Sequence, residues 1–260
     1  MRTLKRISSR KNPTFGALKA LAHSGRERRR TGQTILDGVH LIESWLASGG
    51  VPELVAVGEG ALEKPEIARL AARVNHAVVV LSDALLAEVS PVETASGILA
   101  RVSIPRGAPA ALRGTCVVLD GIQDPGNAGA ILRCAAAAGV DTAVLAAGCA
   151  QAWSPRVLRA GMGAHFVLSV IENADVPALL AAYPGRILAT AAAEGRSLFA
   201  CDLTGETAWI FGAEGCGISP ALLAAAHERM FIPMANGVES LNVAAAAAVC
   251  LFEQHRQRSR

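Results

Sequence analysis

From residue 116 onward, short apolar runs alternate with helical stretches, and this alternation restricts the fold more than any other feature of the chain. Cys116-Val117-Val118-Leu119-Asp120 reads as a buried strand, residues 123–127 as a turn, and residues 128–138 as a helix closed by Gly139. Residues 143–146 form the next strand. A helix is predicted over 155–162, with Ser154 as its cap and Pro155 at its first position. Further strands are expected at 166–170, 187–191, 208–211 and 230–232, with a last helix over 243–257. Strands that are apolar throughout are buried on both faces. The pattern therefore predicts a parallel α/β sheet covered by helices.

The first hundred residues suggest a smaller α/β module. Ile35, Val39, Leu41, Ile42, Trp45 and Leu46 suggest a helical apolar face within 34–57, followed by a strand at 54–57. A helix at 66–74, a strand at 77–81, a helix at 83–89 capped by Ser82 and a strand region over 90–103 complete it. The Pro/Gly/Ala-rich stretch 105–115 reads as a linker. The expected organisation is thus 1–104, linker 105–115, and 116–260.

Charge is distributed unevenly. Residues 1–30 hold ten Lys/Arg against one acid, Glu27, whereas the rest holds fifteen against twenty-one. A basic head on an acidic body suits a polyanionic partner; a solvated basic helix is the competing reading. An Arg-rich, acid-poor start also fits a transit peptide. However, Asn12-Pro13 and the spacing of Leu4, Ile7, Leu18 and Leu21 favour a folded arm. No apolar run reaches the ~18 residues of a membrane span. The six cysteines form no CxxC pair and have no His at metal-ligand spacing, so no metal is expected, and buried thiols in a reducing cytoplasm are.

Three polar, Gly-rich segments follow predicted strands, at the edge where open α/β sheets bind ligands. Residues 120–133 contain Asn127, expected to cap a helix, and Arg133, which interrupts an apolar helix face. A solvated helical Arg is the bland alternative. In 209–219, Gly212-Ala213-Glu214-Gly215-Cys216-Gly217 follows a hydrophobic strand; taken alone it is a turn. In 232–243, Ser240 and Asn242 are both good N-caps, and capping alone would explain them. No GxGxxG or GxxxxGK[ST] occurs, so a nucleotide-dependent oxidoreductase is disfavoured.

Together the three segments, in this order and spacing, resemble the SpoU (TrmH-type) ribose 2′-O-methyltransferases of the SPOUT class. The resemblance covers about the last 145 residues closely. It extends more loosely to residues 7–13 and 36–43, which look like the substrate-binding domain often fused ahead of it. It implies a C-terminal α/β fold with a deep trefoil knot and a mostly parallel sheet, preceded by a smaller substrate-binding domain. It implies S-adenosylmethionine as cofactor, held near Gly212, Ile232 and Leu241. Asn127, Arg133, Glu214, Ser240 and Asn242 match the family's functional polar positions, with Arg133 as the group that activates the 2′-hydroxyl. Arg159 matches a recurring position of less defined role. Cys216 stands where the family often has a charged residue, and its side chain is expected to face away from the chemistry. A homodimer and an RNA substrate are also implied, ribosomal RNA before transfer RNA by family analogy. A non-catalytic RNA-binding or ribosome-assembly protein on the same fold is the remaining alternative.

Overall fold

The computed structural model describes residues 4–74, 77–90, 95–105 and 111–259. Its contacts divide the chain into two units, one of residues 1–106 with 153–166, the other of residues 107–152 with 167–260.

The first unit holds β1 (Lys5–Ile7), α1 (Pro13–His23), α2 (Gly25–Thr31), β2 (Gln33–Asp37), α3 (Val39–Ala47), β3 (Leu54–Gly58), α4 (Pro65–Arg73), β4 (Ala77–Leu81), α5 (Asp83–Val89) and β5 (Ile98–Ser103). The strands form a mixed sheet in the order β1-β4-β3-β5-β2. Phe15, Leu18, Leu21, Ile35, Ala56, Leu85 and Leu99 are among its packed core.

One helical expectation is corrected here. Ile35 lies in edge strand β2, not on the helix that carries Leu41, Ile42 and Trp45. Gly38, at φ 105°, breaks the chain between them. Thr34, Ile35 and Leu36 are all buried, so both faces of the strand are covered. The run between Gly32 and Gly38 holds only Ile35 and Leu36 as apolar residues, too short for a period that tells strand from helix. Of the expected strand region 90–103 and linker 105–115, residues 91–94 and 106–110 lie outside the described residues. At the end of that linker Leu112 is buried in the core of the second unit.

The segment 153–166 contributes α7 (Pro155–Gly161) to the first unit. Its N-cap Ser154 accepts a hydrogen bond from Val157 N, and Pro155 occupies the first turn. The Thr34 hydroxyl of β2 donates to the Trp153 carbonyl at 2.6 Å. Phe166 packs edge-on against Trp45, 5.2 Å between centroids.

The second unit holds β6 (Cys116–Asp120), α6 (Pro125–Ala137), β7 (Thr142–Leu145), β8 (Ser169–Glu172), α8 (Val176–Ala181), β9 (Arg186–Ala191), β10 (Arg196–Ser197), β11 (Thr207–Gly212), α9 (Pro220–Ala225), β12 (Glu228–Phe231) and α10 (Val243–Arg258). Its strands run in the order β10-β12-β9-β11-β6-β7-β8, and every neighbouring pair is parallel. The chain leaves β11 inside the sheet, passes out to β12 beyond β9, and returns as α10 to lie against α6. This crossing accords with the knotted connectivity expected above.

The return of α10 is fixed by polar contacts. The indole of fully buried Trp209 donates to Gln254 Oε1 at 2.7 Å, and the Gln254 amide donates to the Gly205 carbonyl at 3.1 Å. A buried polar group without partners would cost ~1–3 kcal/mol, so this pair specifies the seat of α10 as well as stabilising it.

Candidate active site

The carboxyl ends of β6, β9, β11 and β12, with the start of α10, bring the Gly-rich segments of the second unit together. β6 ends at Asp120, whose carboxylate accepts from Ser219 N at 2.6 Å and so ties the segment after β11 to the β6 turn. Helix α6 begins at Pro125, earlier than expected, and Asn127 is not its cap. Asp124 takes that place and accepts from Asn127 N at 2.7 Å. The shift has a physical cause: a Pro suits the first helical position, and an Asp before it supplies the cap. The Asn127 side chain is thereby released from capping.

That side chain joins two others. Asn127 Nδ2 donates to Glu214 Oε1 at 3.1 Å, and Asn242 Nδ2 donates to Asn127 Oδ1 at 3.0 Å and to Glu214 Oε1 at 2.6 Å. Asn242 also caps α10, its Oδ1 accepting from Ala244 N at 3.0 Å and Ala245 N at 3.3 Å. Its two amide atoms therefore serve different purposes, one structural and one directed at the cluster. Glu214 Oε2 has no hydrogen-bond partner among the described residues.

A cleft of about 440 Å³ opens beside this cluster, lined by Gly212, Glu214, Ile232, Ser240, Leu241 and residues of β9 and α10. Glu214 thus belongs both to the cleft wall and to the polar cluster. The α10 side is apolar, with Val243, Ala246 and Cys250. Burial pushes the Cys250 thiol up to about 12, so it stays protonated and serves as wall. Gly212 is required by the loop itself. A Cβ there would lie 2.3 Å from the Gly217 carbonyl carbon and 2.5 Å from Ile218 N. The loop folds back so tightly because Ala213 and Gly217 exchange two backbone hydrogen bonds, at 3.1 and 2.9 Å.

The remaining expected residues are placed differently. Arg133 is exposed on α6, six residues or ~9 Å of helical rise beyond Asn127, with no hydrogen bond or ion pair to a described residue. Ser240 lines the cleft and makes no hydrogen bond with a described residue. Cys216 is corrected: it is exposed and lines the cleft. The five-residue loop carries Cys216 round with Glu214, so both border the same space. Sequence reasoning missed Asp120 as the tie to Ser219, and Thr190, Ala191 and Ala192 at the end of β9 as cleft wall. Their position at a parallel strand's carboxyl end was the available signal. Among the described residues no His/Cys/Asp/Glu group could hold a metal ion, and no helix is long and apolar enough to cross a membrane.

This arrangement has known relatives. The chain is 35% identical to an uncharacterized tRNA/rRNA methyltransferase of Synechocystis, over 97% of this chain and 94% of that protein. It is 31% identical to the 23S rRNA (guanosine(2553)-2′-O)-methyltransferase RlmP of Bacillus subtilis, over 96% and 98%. Among solved structures, the SpoU methyltransferase AviRb from Streptomyces viridochromogenes, in complex with the cofactor AdoMet, superposes with a TM-score of 0.87 at 25% identity, covering 96% of this chain and 99% of that one. An RNA 2′-O ribose methyltransferase superposes with a TM-score of 0.84 at 30% identity, covering 98% and 100%. Residues 12–100 match the MRM3-like substrate binding domain. Residues 114–252, more than half of the chain, match the SpoU rRNA Methylase family, and the protein belongs to that family.

Proposed function

We propose that this protein transfers a methyl group from S-adenosylmethionine to a ribose 2′-hydroxyl of structured RNA, with ribosomal RNA as the substrate class. The observation that carries the reading is the double membership of Glu214, which lines the cleft and anchors the Asn127–Asn242 cluster at its rim. A cofactor pocket and a polar site for a second reactant therefore share one wall. RlmP, the Bacillus subtilis relative, is named for this reaction on 23S rRNA.

The residues present fit the cofactor. The cleft volume falls within the ~300–1,000 Å³ of small-molecule sites. Gly212, Ile232 and Leu241, the three residues assigned to the cofactor, all line it. When bound, S-adenosylmethionine supplies an activated methyl, whose bond to the ribose oxygen forms as its bond to sulfur breaks. Excluding water and aligning oxygen, methyl carbon and sulfur is the task of the cleft walls.

The harder requirement is a competent nucleophile. Arg133 stabilises the developing 2′-alkoxide with its fixed positive charge. A guanidinium with a pKa above ~12 is a poor base, so the proton leaves to water. Glu214 Oε2 is free to receive a guanidinium or hydroxyl donor, and Asn127 and Asn242 hold that carboxylate in place. Ser240 and Leu241 shape the loop around cofactor and ribose. Residues 1–104 serve as the RNA-binding part and 116–260 as the catalytic part. The acting unit is a homodimer: α10 exposes Phe252 beside partly exposed Ala248 and Val249, an apolar stripe that a second copy would cover.

The test is site-resolved mapping of 2′-O-methylation in total RNA from a deletion strain and its parent. One ribosomal RNA methyl is expected to vanish and to return with the intact protein but not with Arg133→Ala. Purified Arg133→Ala should bind S-adenosylmethionine within a few-fold of the intact protein and transfer methyl about 100-fold more slowly. Near-normal turnover would remove Arg133 from the chemistry, and no lost site would favour a non-catalytic protein.

A further inference from the structure

The basic head does not present all its charge. Glu88 pairs with both Arg10 and Lys19 at 2.5 and 2.8 Å, offsetting one of their two charges, Glu27 takes Arg30 at 2.5 Å, and Glu59 takes Arg6 at 3.5 Å. Arg28 is buried and donates to the Leu21 and Ala22 carbonyls, which closes the end of α1. Arg26 and Arg29 of α2 are left exposed, with no hydrogen bond or ion pair to a described residue.

A second pair of free guanidiniums lies about 130 residues further along the chain. Arg156 and Arg159 stand three apart on α7, both exposed and likewise without a hydrogen bond or ion pair to a described residue. Val157 and Leu158, between them, are fully buried, so the helix cannot rotate to bury the arginines. The segment lies within the stretch that matches the methylase family, residues 114–252, yet it packs in the unit that contains the substrate-binding match. It packs there on β2, the strand into which α2 runs through Gly32. The Thr34–Trp153 hydrogen bond lies three residues past the end of α2. Two stretches distant in sequence, α2 and α7, therefore both meet the edge strand β2, and between them they carry four exposed guanidiniums without a hydrogen bond or ion pair to a described residue.

We propose that Arg26, Arg29, Arg156 and Arg159 form a composite surface that grips the phosphate backbone of the RNA substrate. The assignment rests on the RNA-methylating reading above and adds to it the surface that holds the RNA. Phosphate is the fitting ligand because guanidiniums pair with it in bidentate geometry. The unit offers little for base stacking: Trp45 and Trp153 are both buried. The grip is thus on shape and charge. α7 carries no acidic residue, and the single acid of α2, Glu27, is hydrogen-bonded by Arg30, with Arg26 acting on it only by charge.

The experiment uses the full-length protein and an in vitro transcript of large-subunit ribosomal RNA, with affinity measured from 50 to 200 mM salt. Each lost phosphate contact lowers the slope of log K against log salt by about 0.7–0.9. R156A/R159A and R26A/R29A should each lower it by about 1.5 and weaken binding about tenfold at 0.1 M salt. S-adenosylmethionine affinity, read by calorimetry, should be unchanged. R156K/R159K, which keeps the charges, should keep the slope. Intact protein that binds the transcript alongside alanine variants of unchanged slope would overturn the surface and leave the methyl-transfer reading standing. A lysine variant that loses the slope would also overturn it, since the arginines would then act through local structure. Intact protein that neither binds nor methylates RNA would overturn both.

Discussion

Asn242 shows how one side chain is shared between a helix cap and a polar cluster. Its Oδ1 caps α10 and its Nδ2 reaches Asn127 and Glu214. Capping alone was a sufficient explanation of this residue in the sequence, and a substitution separates the two. Asn242→Asp keeps a cap acceptor but places a second carboxylate against Glu214, where like charges repel. It should melt within a few degrees of the intact protein and yet lose methyl transfer. Asn242→Ala should lose both, with about 1 kcal/mol of stability gone. Thermal melts set beside turnover would check the pair; an active Asp variant would return Asn242 to the bland reading. The polar, Gly-rich segments after apolar strands were visible in the sequence, but each taken alone had a bland explanation, and the candidate residues were singled out by the family resemblance of the three together. The capping role of Asp124 was misassigned to Asn127, because Asp124 and Asn127 are both good caps and only the start of the helix at Pro125 decides between them.

Between elements, a few contacts carry much of the arrangement. The loop after β11 depends on the missing side chain of Gly212. Gly212→Ala would drive a methyl into the Gly217–Ile218 backbone, so the loop must open and Glu214 must leave its partners. The expected outcome is at least tenfold weaker S-adenosylmethionine binding in a calorimetric titration; unchanged affinity would mean that the loop can relax around the methyl. In the first unit, Glu88 of α5 clamps Arg10 and Lys19, and hydrogen bonds and charge from both hold its carboxyl down at about 2, against an ordinary 4.5. A depressed carboxyl contributes stability above its unfolded pKa and loses it as pH falls toward the folded one. Glu88→Gln should therefore be the less stable protein near neutrality, and the gap should close between about pH 4.5 and 2 in urea unfolding. β6, β7 and β11 were legible because strands buried on both faces are apolar. The strand expected at 166–170, however, begins only at Ser169, and the two-residue β10 was not anticipated, since neither β8 nor β10 is apolar throughout. β2 was not legible either, since Ile35 and Leu36 are its only apolar residues and stand at spacings from Val39 and Ile42 that a helical face also allows.

At the scale of the whole chain, sequence order and spatial grouping part company. The linker-based division gave two consecutive segments, whereas the contacts send residues 153–166 back into the first unit. No local pattern could reveal this, because α7 reads as an ordinary amphipathic helix wherever it packs. The apolar residues Val157 and Leu158 of α7, and Trp153 just before it, are buried in the intact chain. A fragment of residues 107–260 would lack the β2 face that receives them. Limited proteolysis should cut that fragment first within 153–166 and spare the same segment in the full chain. Equal resistance in both would mean that α7 finds other cover.

The hydrogen bond between Thr34 and Trp153 also sets a schedule. During synthesis the first hundred residues emerge with the flank of β2 uncovered, and the piece that covers it is translated about 50–60 residues later. At roughly 5–20 residues per second, the gap is several seconds. Through that interval the nascent chain exposes an edge strand whose neighbour has not been made, the kind of surface on which chains pair wrongly. The first unit is thus completed only after β6 and β7 of the second have been made.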